Sequence, residues 1–240
     1  NISASLAMSG SQVLLIDLDP QGNATMGSGV DKAAVELSIY DWMMEGRALD
    51  EVAHKCAGGY ELMPGNTDLT AAEVGLISMP MKEHRLSLAL KPVLANYDYV
   101  LIDCPPSLSM LTINALVAGD SVLVPIQTEY YALEGVTALL STIEQIINRL
   151  NPDLEIEGIL RTMHDPRNRL AVEVSRQLIG HFGDKVFRTI IPRNVRVAEA
   201  PSHGQSVLNY DRYSRGAVSY MALASEMHRK HQTPTSQRAG

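Results

Sequence analysis

Aromatic residues are scarce: 2 Phe, 1 Trp and 9 Tyr among 240 residues. The core must therefore be built from Leu, Val, Ile, Ala and Met. Only two cysteines occur, Cys56 and Cys104. They have neither the density of a disulfide framework nor the spacing of a zinc site, which favours a reducing cytosol and makes a cytoplasmic location the expectation. The seven histidines form no H-E-x-x-H pair or other metal spacing. No apolar stretch reaches the roughly 18 residues needed to cross a membrane, and no internal repeat or interdomain linker is visible. The most telling absence is the phosphate loop: no G-x-x-x-x-G-K-[ST] occurs anywhere in the chain.

What is present is an alternation of apolar strand-like runs with helical patterns. Strands are expected at 13–17, 60–63, 99–103, 121–125, 157–162 and 186–190. Helices are expected at 1–9, 38–45, 70–77, 82–94, 109–118, 133–150, 170–181 and 215–230. Such alternation implies an α/β fold with a mostly parallel, twisted sheet and helices on both faces. One domain is expected over 1–230, followed by a polar, disordered tail at 231–240. Asn151-Pro152 closes the long helix.

Two runs carry the chemistry. Val13-Leu-Leu-Ile-Asp17 reads as a buried strand. It is followed by Leu18, a second carboxylate at Asp19, and a break at Pro20 and Gly22. Tyr99-Val-Leu-Ile-Asp-Cys-Pro-Pro106 repeats the logic, ending in Asp103. Carboxylates at the carboxyl ends of parallel strands are where open α/β sheets place their ligands. Beside a phosphate loop they hold Mg²⁺ and orient water. Standing alone, each is equally a strand-ending turn or cap. Gly22 is expected to supply an unusual backbone angle, and Cys104 to be a small buried filler.

These runs resemble the ParA/Soj chromosome- and plasmid-partition ATPases of the MinD/ParA deviant Walker family. Further matches follow in that family's order: Pro125-Ile-Gln-Thr-Glu-Tyr-Tyr-Ala-Leu-Glu-Gly135, Gly158-Ile-Leu-Arg-Thr-Met-His-Asp165, Ile191-Pro-Arg-Asn-Val-Arg-Val-Ala-Glu-Ala-Pro-Ser-His-Gly204, and Tyr213-Ser-Arg-Gly-Ala217 before a closing helix. The resemblance implies a P-loop NTPase-like fold whose first strand and K-G-G-V-G-K-T-T loop precede Asn1, the loop ending about six residues upstream. It implies ATP and Mg²⁺ as cofactors. Asp19 would position the attacking water and Asp103 would be the Walker B carboxylate. Asp17 would support Mg²⁺ from behind or simply cap a loop. Gln21, Asn23 and Thr25 would reach phosphate or metal, and Pro105 would stiffen the second switch loop. Thr162, Met163 and Asp165 past one strand, with Pro192, Arg193 and Asn194 past another, would border adenine and ribose. Met163 would pack on the ring, and Asn194 would read its edge. Glu129-Tyr130-Tyr131 is left without a firm role, and His203 is read as structural.

Charge is divided along the chain. The first 160 residues hold 7 Lys and Arg against 21 Asp and Glu, a balance of −14. The last 80 hold 13 against 6, a balance of +7. Such asymmetry suggests a polyanion-facing surface. The resemblance implies an ATP-bound homodimer that binds DNA without sequence preference, associates with the nucleoid, and is released when a ParB-type centromere-binding protein stimulates hydrolysis. Arg188, Arg196, Arg212 and Arg215 are the candidate DNA contacts; solubility or internal ion pairs are the alternative for each. Two other functions are weighed. A MinD-like membrane-associated ATPase would need a basic amphipathic closing helix with a large apolar face, which the residues after Met227 do not offer. A non-catalytic interaction module would lack the phosphate loop by nature. This exact chain is expected to be inactive and unstable without the missing strand.

Overall fold

A computed structural model describes residues 1–232. Among these residues seven strands form: β1 (Val13–Asp17), β2 (His54–Lys55), β3 (Glu61–Met63), β4 (Tyr99–Asp103), β5 (Ser121–Gln127), β6 (Glu155–His164) and β7 (Val186–Pro192). They lie in two sheets, of order β2-β3-β1-β4 and β5-β6-β7. All pairs are parallel except β2 with β3. The β1/β4 register sets Asp17 directly beside Asp103, so the two acidic strand ends emerge together.

The helices are α1 (Ile2–Met8), α2 (Asn23–Gly27), α3 (Leu49–Val52), α4 (Leu69–Ile77), α5 (Arg85–Leu90), α6 (Met110–Ala118), α7 (Ala132–Arg149), α8 (Arg169–Phe182), α9 (Val195–Glu199), α10 (Val207–Tyr210) and α11 (Arg215–Gln232). Side-chain caps start several of them where Ser or Asn precedes an apolar run: Ser109 accepts from Leu111 N–H, and Asn168 from Leu170 N–H. One apolar cluster joins α1 and β1 to β6, β7 and α11 through Leu6, Val13, Leu160, Phe187, Ile191 and Leu223. It therefore runs across both sheets. A second cluster packs Leu14, Ile16, Trp42 and Met63 against α4–α6, and a third packs β5 and β6 against α7 and α8.

The mostly parallel sheet with helices on both faces is as expected, in two pieces that end at β4 and β5, with β2 an antiparallel edge. Other expectations need correction. The helix expected over 82–94 is broken into a 3-10 turn at Lys82–His84, α5, and another turn at Leu94–Asn96. Pro92 accounts for the second break, because it cannot donate to the preceding turn. The segment at 38–45 contains a π-helical turn at Asp41–Glu45. α2, α3, α9 and α10, each five residues or fewer, are too short for periodicity to reveal. α11 continues through His231 and Gln232, two residues into the expected tail; 233–240 lie outside the described residues.

Candidate active site

Asp17 is fully buried, and buried carboxylates must be satisfied by donors. Its Oδ2 accepts from Thr25 N and Thr25 Oγ1, both at 2.7 Å, and its Oδ1 from Asp19 N at 3.2 Å. Thr25 Oγ1 in turn accepts from Gly65 N at 2.9 Å. Asp19 Oδ1 accepts from Gln21 N at 2.9 Å, and its carbonyl from Gly22 N at 2.9 Å. Gly22 has φ +62, as expected. A Cβ there would also meet the Gly65 carbonyl at 2.7 Å and Lys32 Cδ at 2.9 Å. Lys32 lies across the turn and donates to the Gln21 carbonyl. The loop from Asp17 to Thr25 is thus held from three sides. Lys32 and Gly65 are site residues that the sequence reading missed; the only signal was the Pro64-Gly65 turn after β3.

Burial raises the Asp17 carboxyl, offset by the Thr25 and Asp19 donors and reinforced by the Asp19 charge. Asp103 is pushed up to about 6, by partial burial first and then by the Asp17 and Asp19 carboxylates. It keeps a solvent-exposed side at the end of β4. Crowded carboxylates that resist ionisation are what a divalent cation relieves. Among the described residues no three His, Cys, Asp or Glu side chains converge as a self-sufficient metal cage. A pair of strand-end carboxylates is a donor set that Mg²⁺ accepts, since it keeps several waters and takes only one or two protein carboxylates plus phosphate oxygens.

The structure brings Asp17, Asp19, Asp103, Gln21, Asn23 and Thr25 together at one end of the first sheet, with Pro105 in the loop after β4. Asn23 opens α2. The second set lies at the carboxyl ends of β6 and β7. Thr162 and Met163 are in β6, with Met163 at φ +51, an unusual conformation for a non-glycine residue that Met81 shares. Asp165 follows it in an exposed pair with Arg167 at 2.8 Å, and the Arg167 hydrogen bonds hold its carboxyl well below the usual range. His164 and Pro192 line a cleft of about 470 Å³ with Tyr213, Arg215 and Val218. Asn194 is engaged locally: its side-chain oxygen accepts from Val197 N and caps α9.

The candidate arginines differ. Arg188 is exposed in β7. Arg212 lies over the Tyr213 ring at 5.3 Å, and Arg215 opens α11. Arg196 is already paired, with Glu199 at 3.0 Å and Asp211 at 3.4 Å. No described helix is long and apolar enough to cross a membrane.

The fold, parallel strands with helices on both faces, is that of the P-loop NTPase class. A profile of the AAA domain family matches residues 1–156. The solved cobyrinic acid a,c-diamide synthase from Mycobacterium smegmatis, with bound ATP analogue and magnesium, superposes with a TM-score of 0.84 at 32% identity, covering 97% of this chain and 88% of that one. The sporulation initiation inhibitor protein Soj of Bacillus subtilis is 48% identical over 95% of this chain and 90% of its own length. The chromosome partitioning protein ParA of Myxococcus xanthus is 47% identical over 99% and 84%. The chain belongs to the ParA/Soj family of chromosome-partitioning ATPases.

Proposed function

We propose that this protein hydrolyses ATP to drive the partitioning of DNA. It does so as a homodimer on ATP that binds DNA without sequence preference, and a ParB-type centromere-binding protein stimulates hydrolysis to release it. The observation that carries this reading is the register that sets Asp103 at the end of β4 beside Asp17 at the end of β1, with Asp19, on the loop that Asp17 holds, within electrostatic reach of Asp103. Phosphoryl transfer asks of a protein mainly that it place water and neutralise charge. Bound Mg²⁺ would neutralise charge on the phosphates beside Asp103. Asp19 orients the attacking water and accepts its proton. Asp17 keeps the Asp19 loop in register through Thr25, and Gly22 lets the loop pass under Lys32. Pro105 restrains the loop after Asp103, and Thr162, Met163, Asp165, Pro192, Arg193 and Asn194 border the base and ribose.

DNA binding is supported by the basic balance of the last 80 residues. There Arg188, Arg212 and Arg215 supply phosphate contacts, with Arg196 contributing beside its acidic partners. The test uses the full-length protein with ATP or ADP, in a gel shift against DNA of arbitrary sequence and in a pelleting assay with anionic liposomes. DNA retention that requires ATP and weakens steeply with salt is expected. Liposome pelleting without DNA retention would replace this function with a membrane-directed one.

A further inference from the structure

β6 and β7 do not run in simple register. Ile159 faces Val186 and Arg161 faces Ile190, so two steps on β6 span four on β7. Extra residues on one strand are the mark of a bulge, which frees backbone groups from the ladder and re-aims a side chain. The inside-outside alternation breaks at the same place: Val186 and Phe187 are both buried, and Arg188 is exposed. Phe187 is seated inward because Gly158 leaves room for it; a Cβ on Gly158 would stand 2.7 Å from the ring.

The freed backbone groups are held from both sides by buried, oppositely charged side chains. Arg161 (4% exposed) donates to the Phe187 carbonyl at 2.7 Å, the Arg188 carbonyl at 3.2 Å and Ser175 Oγ at 2.9 Å. Glu226 of α11 (9% exposed) accepts from Arg188 N at 2.8 Å and Thr189 N at 2.9 Å. Two successive N–H groups thus turn to one carboxylate, which a regular strand does not allow. Neither buried charge has a salt-bridge partner within contact distance among the described residues; the hydrogen bonds of each go mainly to the bulged backbone, and Arg161 Nε is buried without a partner. Burying an arginine for this purpose is costly, so the bulge is a built feature.

We propose that Arg161 and Glu226 are positioning residues that clamp the β7 bulge and thereby project Arg188 onto a polyanion backbone, in fixed relation to Arg215 at the other end of α11. This rests on the DNA-binding reading above. Glu226 lies on the helix that Arg215 opens, so the clamp ties the two cationic contacts to one rigid element. Arg161 and Glu226 touch no ligand themselves.

The test is a double-mutant cycle in full-length, ATP-bound protein, with DNA affinity measured across a salt series. Arg188→Ala should lower the slope of log affinity against log salt by about one, the signature of one lost phosphate contact. Arg161→Met should weaken DNA binding about 3- to 10-fold, within the cost of one lost phosphate contact, and leave ATP affinity unchanged. Added to Arg188→Ala, it should cost nothing further. Glu226→Gln, which keeps the volume and one acceptor, should give a smaller loss that also vanishes in the Arg188→Ala background; it serves if Arg161→Met fails to fold. Equal losses with and without Arg188, or no loss from either clamp variant, would overturn the clamp while leaving DNA binding intact. If Arg188→Ala binds as tightly as the parent, the clamp falls, and Arg215→Ala decides whether DNA binding survives. A full-length protein that ignores DNA would overturn both.

Discussion

The two sheets solve one problem with opposite charges. In the first, a buried carboxylate, Asp17, gathers the N–H and hydroxyl of Thr25 and the N–H of Asp19, so fixing a loop that has left the strand. In the second, a buried guanidinium, Arg161, gathers carbonyls of a bulge that has left the ladder. Each buried charge sits behind the functional candidate it serves: Asp19 in the acidic region, Arg188 in the basic one. The comparison teaches that backbone leaving regular pairing needs a substitute partner, and that the sign of the partner follows the groups left over. N–H groups call for a carboxylate, and carbonyls for a cation.

The sharpest way to break this comparison is to separate the functional group from its holder. Asp19→Ala in the full-length protein should cut ATP turnover by about 100-fold or more while ATP binding, followed by fluorescent-nucleotide titration, stays near the parent value. A variant that still turns over at the parent rate would remove Asp19 from the chemistry.

Asp17→Ala comes next in size. It orphans Thr25 N–H, Thr25 hydroxyl and Asp19 N–H in a buried setting, so a loss of about 2–4 kcal/mol in urea unfolding is expected. A loss below 0.5 kcal/mol, an order-of-magnitude bound for surface changes, would show that the loop holds itself.

The smallest effect is the most specific. The folded carboxyl of Asp103 sits at about 6 against an ordinary 3.8, so the folded state binds the proton more tightly than the unfolded chain. The stability that this proton confers is complete below about pH 4 and is lost as pH rises through about 6. Asp103→Asn should therefore match the parent near pH 4 and melt at a higher temperature than the parent at pH 7.5, in the absence of divalent cations. Parallel melting curves across that range would mean that Asp103 does not feel its neighbours.

How much was legible can be stated residue by residue. β1 and β4 were read to the residue because each is a continuous apolar run ended by Asp, with a proline close behind. The ordering of acidic and basic halves was equally plain from composition. The antiparallel β2 and the short helices were not, because two- to five-residue elements carry no period and are set by what they pack against. Arg161 and Glu226 escaped notice for a related reason: an arginine inside an apolar strand and a glutamate on a closing helix look like surface residues until their neighbours are known.

The sequence alone determined that two apolar strands end in carboxylates and that cationic residues gather in the last third. Those features depend on local order along the chain. Only the tertiary structure decided which charges are buried, that Thr25 and Gly65 secure Asp17, and that α11 reaches back to clamp β7. These depend on hydrogen bonds between residues 8 to 40 positions apart in sequence, such as Asp17 with Thr25 or Thr25 with Gly65, and on the cost of leaving any buried polar group without a partner.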